Sequence, residues 1–111
     1  MNKLIEQALL YDFYGELLTK HQRQVYEEVV LNDYSISEVA QASGISRQGV
    51  SDMVRRCNKI LEGYEDKLHL VEKFVHIKES VNQIRELTHS GAQSEVMRQI
   101  EEISTDILEE L

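Results

Sequence analysis

The sequence predicts an all-α fold, and three observations carry that prediction. Proline is absent and glycine occurs only five times in 111 residues, while Leu, Ile, Val, Glu, Gln and Lys dominate; such a composition favours helices over a sheet built on turns. Apolar residues recur at spacings of three and four along most of the chain, which is the period of an amphipathic helix. Ser and Thr stand where several of these runs begin, as helix N-caps do. At this length a single domain with a modest core is expected.

The first helix is predicted over residues 2–18, where apolar residues at 4, 5, 8, 9, 11, 13, 14, 17 and 18 form a wide face. Thr19 followed by Gln22 is a capping-box pattern, so a second helix is placed at 20–31 with Val25, Tyr26, Val29 and Val30 inward. Asn32 and Asp33 end it. Ser35 with Glu38 repeats the pattern and opens a short third helix over 36–42. After a turn at Ser43 and Gly44, Ser46 caps a fourth helix over 47–62, burying Val50, Met53, Val54, Cys57, Ile60 and Leu61. Gly63 stands where a left-handed C-terminal cap is wanted. A fifth helix is expected from Tyr64 to about Thr88, with Tyr64, Leu68, Val71 and Val75 on its face, and "HSGAQS" interrupts it. The last helix carries Val96, Ile100, Ile103 and Ile107, spaced four, three and four. That spacing serves a short coiled-coil seam or packing back on the same chain. Two regions follow: a core at 1–63 and an acidic helical extension at 64–111 that packs or dimerises.

The formal net charge is −8, unevenly spread: residues 1–18 carry −2, residues 19–60 carry +1 and residues 61–111 carry −7. What an anionic partner meets is the local face, so an acidic chain can still present a basic surface. No apolar run approaches the ~20 residues a membrane span needs. Glu6, Asp12 and Glu16 break the apolar core that a signal peptide would require. A cytoplasmic protein without membrane insertion is expected. The single Cys57 cannot form an internal disulfide, which agrees with a reducing compartment.

From Ile36 to Arg55, "ISEVAQASGISRQGVSDMVR" fits a helix-turn-helix. Ala40 is small where two helices cross closely, Gly44 can take the positive backbone angle of the turn, and Val39, Ile45, Val50 and Met53 supply the shared apolar face. On that geometry Ser46, Arg47, Gln48, Ser51, Asp52 and Arg55 project from the part of the second helix that meets base edges in DNA-binding proteins. Arg can chelate guanine, and Gln can pair with adenine. Arg47, Ser51, Arg55 and Lys59 follow at intervals of four, with Arg56 beside them. Lys20 and Arg23 can add phosphate contacts from the second helix. Asp52 opposes phosphate, and a helix-turn-helix also serves as a packing unit.

The stretch "LTKHQRQVYEEVVLNDYSISEVAQASGISRQGVSDMVRR" resembles the promoter −35-binding region of bacterial sigma factors, region 4, in its opening "LT..Q" and its "S..E.A...GIS" core. Over residues 11 to 70 the chain resembles more closely the YlxM family of small bacterial helix-turn-helix proteins, through "DFYGELLTKHQ", "SGISRQGVSD" and "LEGYEDKLHL" in that order. The resemblance implies a sigma-like helix-turn-helix with added C-terminal helices, and a DNA-binding or regulatory role. It also implies a link to the signal recognition particle pathway, because genes of that family lie beside that of its targeting GTPase. The partners expected are duplex DNA or signal recognition particle RNA, that GTPase, and a second copy of the chain in a homodimer. The sigma-like pattern carries Arg47, Gln48, Ser51 and Arg55 over as nucleic-acid contacts; it departs at Gly49 and Asp52.

There is no glycine-rich phosphate loop, no GxSxG elbow and no paired-cysteine zinc signature, so neither catalysis nor a cofactor is expected. Glu65, His69, Glu72 and His76, spaced four, three and four, would line one stripe of the predicted fifth helix. One helix rarely completes a metal site, so they are read as a solvated flank and no metal is expected. Tyr11, Phe13, Tyr14, Tyr26, Tyr64 and Phe74 are assigned to packing, since a base-stacking platform needs aromatics interleaved with exposed cations.

Overall fold

A computed structural model describes residues 2–89 and 93–110, and every element among them is helical. The chain divides into two compact units, Met1–His69 and Leu70–Leu111. The fold is all-α, as composition and periodicity predict.

In the first unit, α1 (Lys3–Tyr14) starts at Asn2, whose side chain accepts from the Leu4 N–H at 2.8 Å. The predicted helix to residue 18 stops early, because Gly15–Leu17 tightens into a 3₁₀ turn closed by Leu18 N–H on the Gly15 carbonyl. Gly15 is buried against the Tyr11 ring, where a Cβ would come within 2.9 Å. A larger residue at this turn would have to displace that ring. The Thr19–Gln22 capping box is complete in both directions, at 3.2 and 2.9 Å, and opens α2 (Lys20–Tyr26). Residues Glu27–Leu31 continue as a wider π turn rather than as α-helix, and Asp33 ends the segment at φ +57°.

Ser35 caps α3 (Ile36–Ser43) by accepting from Glu38 N–H at 3.1 Å, and Gly44 follows at φ +72°. Ser46 then caps α4 by accepting from Gly49 N–H at 2.9 Å. Here the sequence-based boundary needs correction. Helix α4 runs from Arg47 to Leu68, straight through Gly63, and ends at His69 in the left-handed conformation at φ +56°. Glycine within a helix costs about 1 kcal/mol relative to alanine. Packing beyond it opposes that cost: Tyr64 stacks on Tyr14 at 5.9 Å between ring centres, and Glu65 accepts from the Tyr14 hydroxyl at 2.6 Å.

Val25, Val39, Ala40 and Val50 form the centre of the helix-turn-helix core, with Val29, Ile45, Met53 and Val54 packed around it. Tyr14, Tyr26, Cys57 and Leu61 are also buried. Of the face predicted for α4, Val50, Cys57 and Leu61 are buried while Met53, Val54 and Ile60 are half-buried. Asn58 joins three helices: its Oδ1 accepts from the Tyr26 hydroxyl at 2.7 Å and from the Gln7 amide at 3.3 Å. A buried hydroxyl left without such a partner would cost about 1–3 kcal/mol.

In the second unit, α5 (Leu70–His89) and α6 (Ser94–Glu110) form an antiparallel pair, with His76 lying 3.6 Å from Glu110 at one end. Part of the predicted "HSGAQS" break, residues 90–92, lies outside the described residues. Val96, Ile100, Ile103 and Ile107 are half-buried, and no described residue of α6 is fully buried. No helix among the described residues is long and apolar enough to cross a membrane.

Candidate nucleic-acid interface

The turn between α3 and α4 is built from two local devices. Gly44 N–H and Ile45 N–H both reach the Ala40 carbonyl, at 3.0 and 3.3 Å, which closes α3 and reverses the chain. The Ser46 hydroxyl accepts from Gly49 N–H, one of the orphan donors at the start of α4. Gly49 lies beneath that hydroxyl, and a Cβ there would approach Ser46 Oγ to 3.2 Å. A glycine that weakens the helix by propensity therefore leaves room for its cap.

With Val50, Cys57 and Leu61 buried, the opposite side of α4 faces outward. Its central line is Gln48, Asp52, Arg55 and Lys59, spaced four, three and four. Arg47, Gln48, Arg55, Arg56 and Lys59 are exposed, and Ser51 is half-buried at the margin. The interval-of-four stripe through Arg47, Ser51, Arg55 and Lys59 thus winds across the face, whereas the line through Asp52 follows its middle. Asp52 Oδ1 accepts from Gln48 Nε2 at 3.1 Å and from Arg55 Nη2 at 2.9 Å. Both side chains of the Arg55–Asp52 pair are about half exposed or more, at 65% and 48%, so the pair contributes little to stability. Its consequence is orientation.

The first turn of α4 holds no acidic residue, and Arg47 stands there against the positive end of the helix dipole. This concentrates positive potential beside Gln48 and Ser51. Asp52, Arg55, Arg56 and Lys59 together line a shallow depression further along the helix.

Lys20 and Arg23 have different surroundings. Lys20 is exposed at the first position of α2. Arg23 Nε donates to the Tyr11 hydroxyl across a long 3.5 Å, and Tyr11 in turn donates to Glu27. The Tyr11 hydroxyl, then Glu27 and Glu16 nearby, hold the Arg23 guanidinium more firmly in its charged form. Arg23 thus belongs first to a polar set spanning α1 and α2.

Cys57 is fully buried with Sγ 4.0 Å from the Gln22 carbonyl, and burial pushes its thiol pKa up, away from the thiolate. Because α4 ends at Leu68 and α5 begins at Leu70, Glu65, His69, Glu72 and His76 do not share the one continuous helix expected of them. Tyr11 stacks on Tyr26 at 5.5 Å, and Tyr14 on Tyr64, as packing residues do; Phe13 and Phe74 remain 38% and 41% exposed. Asp52, expected on the outward face only as a charge opposed to phosphate, instead joins Gln48 to Arg55, and Asn58, which nothing in one sequence singles out, ties α4 to α1 and α2.

Residues 1–103 match a family model described as "Putative helix-turn-helix protein, YlxM / p13 like", UPF0122. Relatives of near-equal length carry the same family designation. A protein of Thermoanaerobacter sp. (strain X514) is 41% identical over 106 residues, covering 92% of this chain and 91% of that protein. One from Acetivibrio thermocellus is 40% identical over 116 residues, covering 98% and 99%. One from Halalkalibacterium halodurans is 38% identical over 109 residues, again covering 98% and 99%.

Proposed function

The chain belongs to the YlxM/p13-like helix-turn-helix family, and from that premise we propose that it is a DNA-binding regulatory protein whose α4 enters the major groove of a duplex. The observation that carries this reading is the outward line of α4. It sets Gln48 and Arg55 on one line, a turn to either side of Asp52, with Arg47, Arg56 and Lys59 exposed nearby, on a helix whose first turn bears no acid. Arg55 and Gln48 would meet base edges, while Arg47, Ser51, Arg56 and Lys59 would meet phosphates, with Lys20 and Arg23 assisting from α2. A homodimer would place two such helices on neighbouring half-sites and multiply a weak individual affinity. The acidic pair α5–α6 offers the surface for it, since Met97 and Leu108 are 55% and 72% exposed and no described residue of α6 is buried.

Replacing Arg47 and Arg55 together by Ala should reduce affinity for a short random-sequence duplex by tenfold or more, on the order of the phosphate and base contacts removed. Circular dichroism should remain unchanged, because both side chains are exposed. Fluorescence anisotropy reads the affinity, and equal binding by the variant would remove α4 from the interface.

A second reading draws on the carboxylate of Asp52 on the same face and on the net charge of −8, both of which favour a protein partner over a polyanion. On it the protein is an accessory of the signal recognition particle, to whose pathway the family resemblance points, and binds that particle's GTPase or its RNA. The deep, narrow major groove of A-form RNA does not admit a helix, so contact would be by shape and phosphates. Preference for the particle's RNA over duplex DNA would decide for this reading.

A further inference from the structure

Asp52 looks misplaced for a surface that meets phosphate, yet it occupies the middle of the outward line of α4 and is held there by two neighbours. Both donors converge on Oδ1, which leaves the lone pairs of Oδ2 for a donor outside the helix. Arg55 commits only Nη2 to the pair, and a guanidinium carries five N–H donors. The arrangement has two unequal consequences for a duplex. Against the phosphate backbone alone, Asp52 offsets roughly one of the positive charges on this face and adds repulsion. Against base edges, the carboxylate can accept an exocyclic amino hydrogen while Arg55 chelates O6 and N7 of a neighbouring guanine.

We infer that Asp52 is a specificity-determining residue: it weakens sequence-independent binding and, with Arg55, selects a major-groove step that pairs a guanine with an adjacent amino donor, cytosine N4 above all. The inference rests on the reading that α4 enters the major groove of duplex DNA. Gln48, anchored on the same carboxylate oxygen at 3.1 Å, is oriented as part of the same unit and lies one turn toward the N-terminus from Asp52. Loss of the carboxylate would therefore disturb selection on both sides of Asp52. Specificity built this way comes from an introduced repulsion as much as from an attraction.

The test compares the full-length wild type with Asp52→Asn, which keeps an acceptor but removes the charge, and with Asp52→Ala, which removes both. Each is titrated by anisotropy against a pooled random-sequence duplex across a salt series, and each is used to enrich bound sequences from a randomised duplex library. Asp52→Asn should bind the pooled duplex about three- to tenfold more tightly, with a salt dependence steeper by about one released counterion. The sequences it enriches should lose the guanine–cytosine preference shown by those the wild type enriches. Asp52→Ala should lose that preference too, and should also lose base preference at the position next to it, where Gln48 is no longer anchored. Unchanged pooled affinity and unchanged preference in the variants, with clear wild-type binding, would overturn the role of Asp52 alone. Absence of duplex binding by all three proteins would overturn the nucleic-acid reading and this inference with it.

Discussion

Asn58 and Tyr26 illustrate how single side chains set the angle at which α4 is presented. Tyr26 has no exposed surface, and its hydroxyl donates to Asn58 Oδ1 on α4, which also accepts from Gln7 on α1. Asn58→Ala should destabilise the first unit by about 1–3 kcal/mol, because the tyrosine hydroxyl is left buried without a partner. Tyr26→Phe should cost less, since it removes the stranded group as well; denaturant unfolding of both variants checks the order. Burial, then the nearby Cys57 and Glu62, pushes the Tyr26 pKa up to about 12 from its ordinary 10.0. The folded state therefore favours the neutral phenol. The stabilisation this gives relative to the ionised form is whole below pH 10 and is lost as pH rises toward about 12. Alkaline unfolding between those limits should be weaker in Tyr26→Phe, as circular dichroism against pH would report. The turn has its own single-residue requirement. Gly44, at φ +72°, should lose about 1 kcal/mol on change to Ala although no atom lies within 4 Å of the added Cβ, because the cost is in the backbone.

At the scale of elements, what could be foreseen was what short-range chemistry dictates. The caps at Thr19, Ser35 and Ser46, the turn at Gly44 and the buried face of α4 follow from side chains acting on their immediate neighbours, and each stands where the sequence places it. The misplaced boundaries turn on where aromatic rings lie, at Gly63 through packing distant in sequence and at Gly15 through a ring one turn back. Gly63 looks like a helix end until Tyr64 and Glu65 are seen bound to Tyr14, roughly fifty residues away in sequence. Gly15 looks like an interior helical residue until the Tyr11 ring is seen filling the space its Cβ would need. The outward face of α4 is legible to a similar degree. Exposed positions on α4 could be read from period alone, but the bridging of Gln48 and Arg55 by Asp52 depends on rotamers, and Asp52 looks merely repulsive without them. Ser46→Ala should cost about 1 kcal/mol through loss of the α4 cap, measurable by thermal unfolding, and should weaken duplex binding beyond that by fraying the turn that carries Arg47 and Gln48.

At the scale of the molecule, the acidity and the basic stripe belong to different parts of the chain, with a net charge of +1 over residues 19–60 and −7 over residues 61–111. On the proposed reading the acidic portion would discourage indiscriminate binding to polyanions, and the exposed Met97 and Leu108 would supply the dimer contact. Met97→Glu with Leu108→Glu should convert a dimer to a monomer in sedimentation without loss of helix content, and an unchanged mass would move the dimer contact elsewhere. Whether α4 carries duplex DNA can be read from anisotropy of the full chain with a duplex DNA and with signal recognition particle RNA across a salt series. Tighter binding to the duplex is expected, falling steeply as salt displaces the phosphate contacts. Preference for the RNA, or a duplex affinity indifferent to salt, would contradict it.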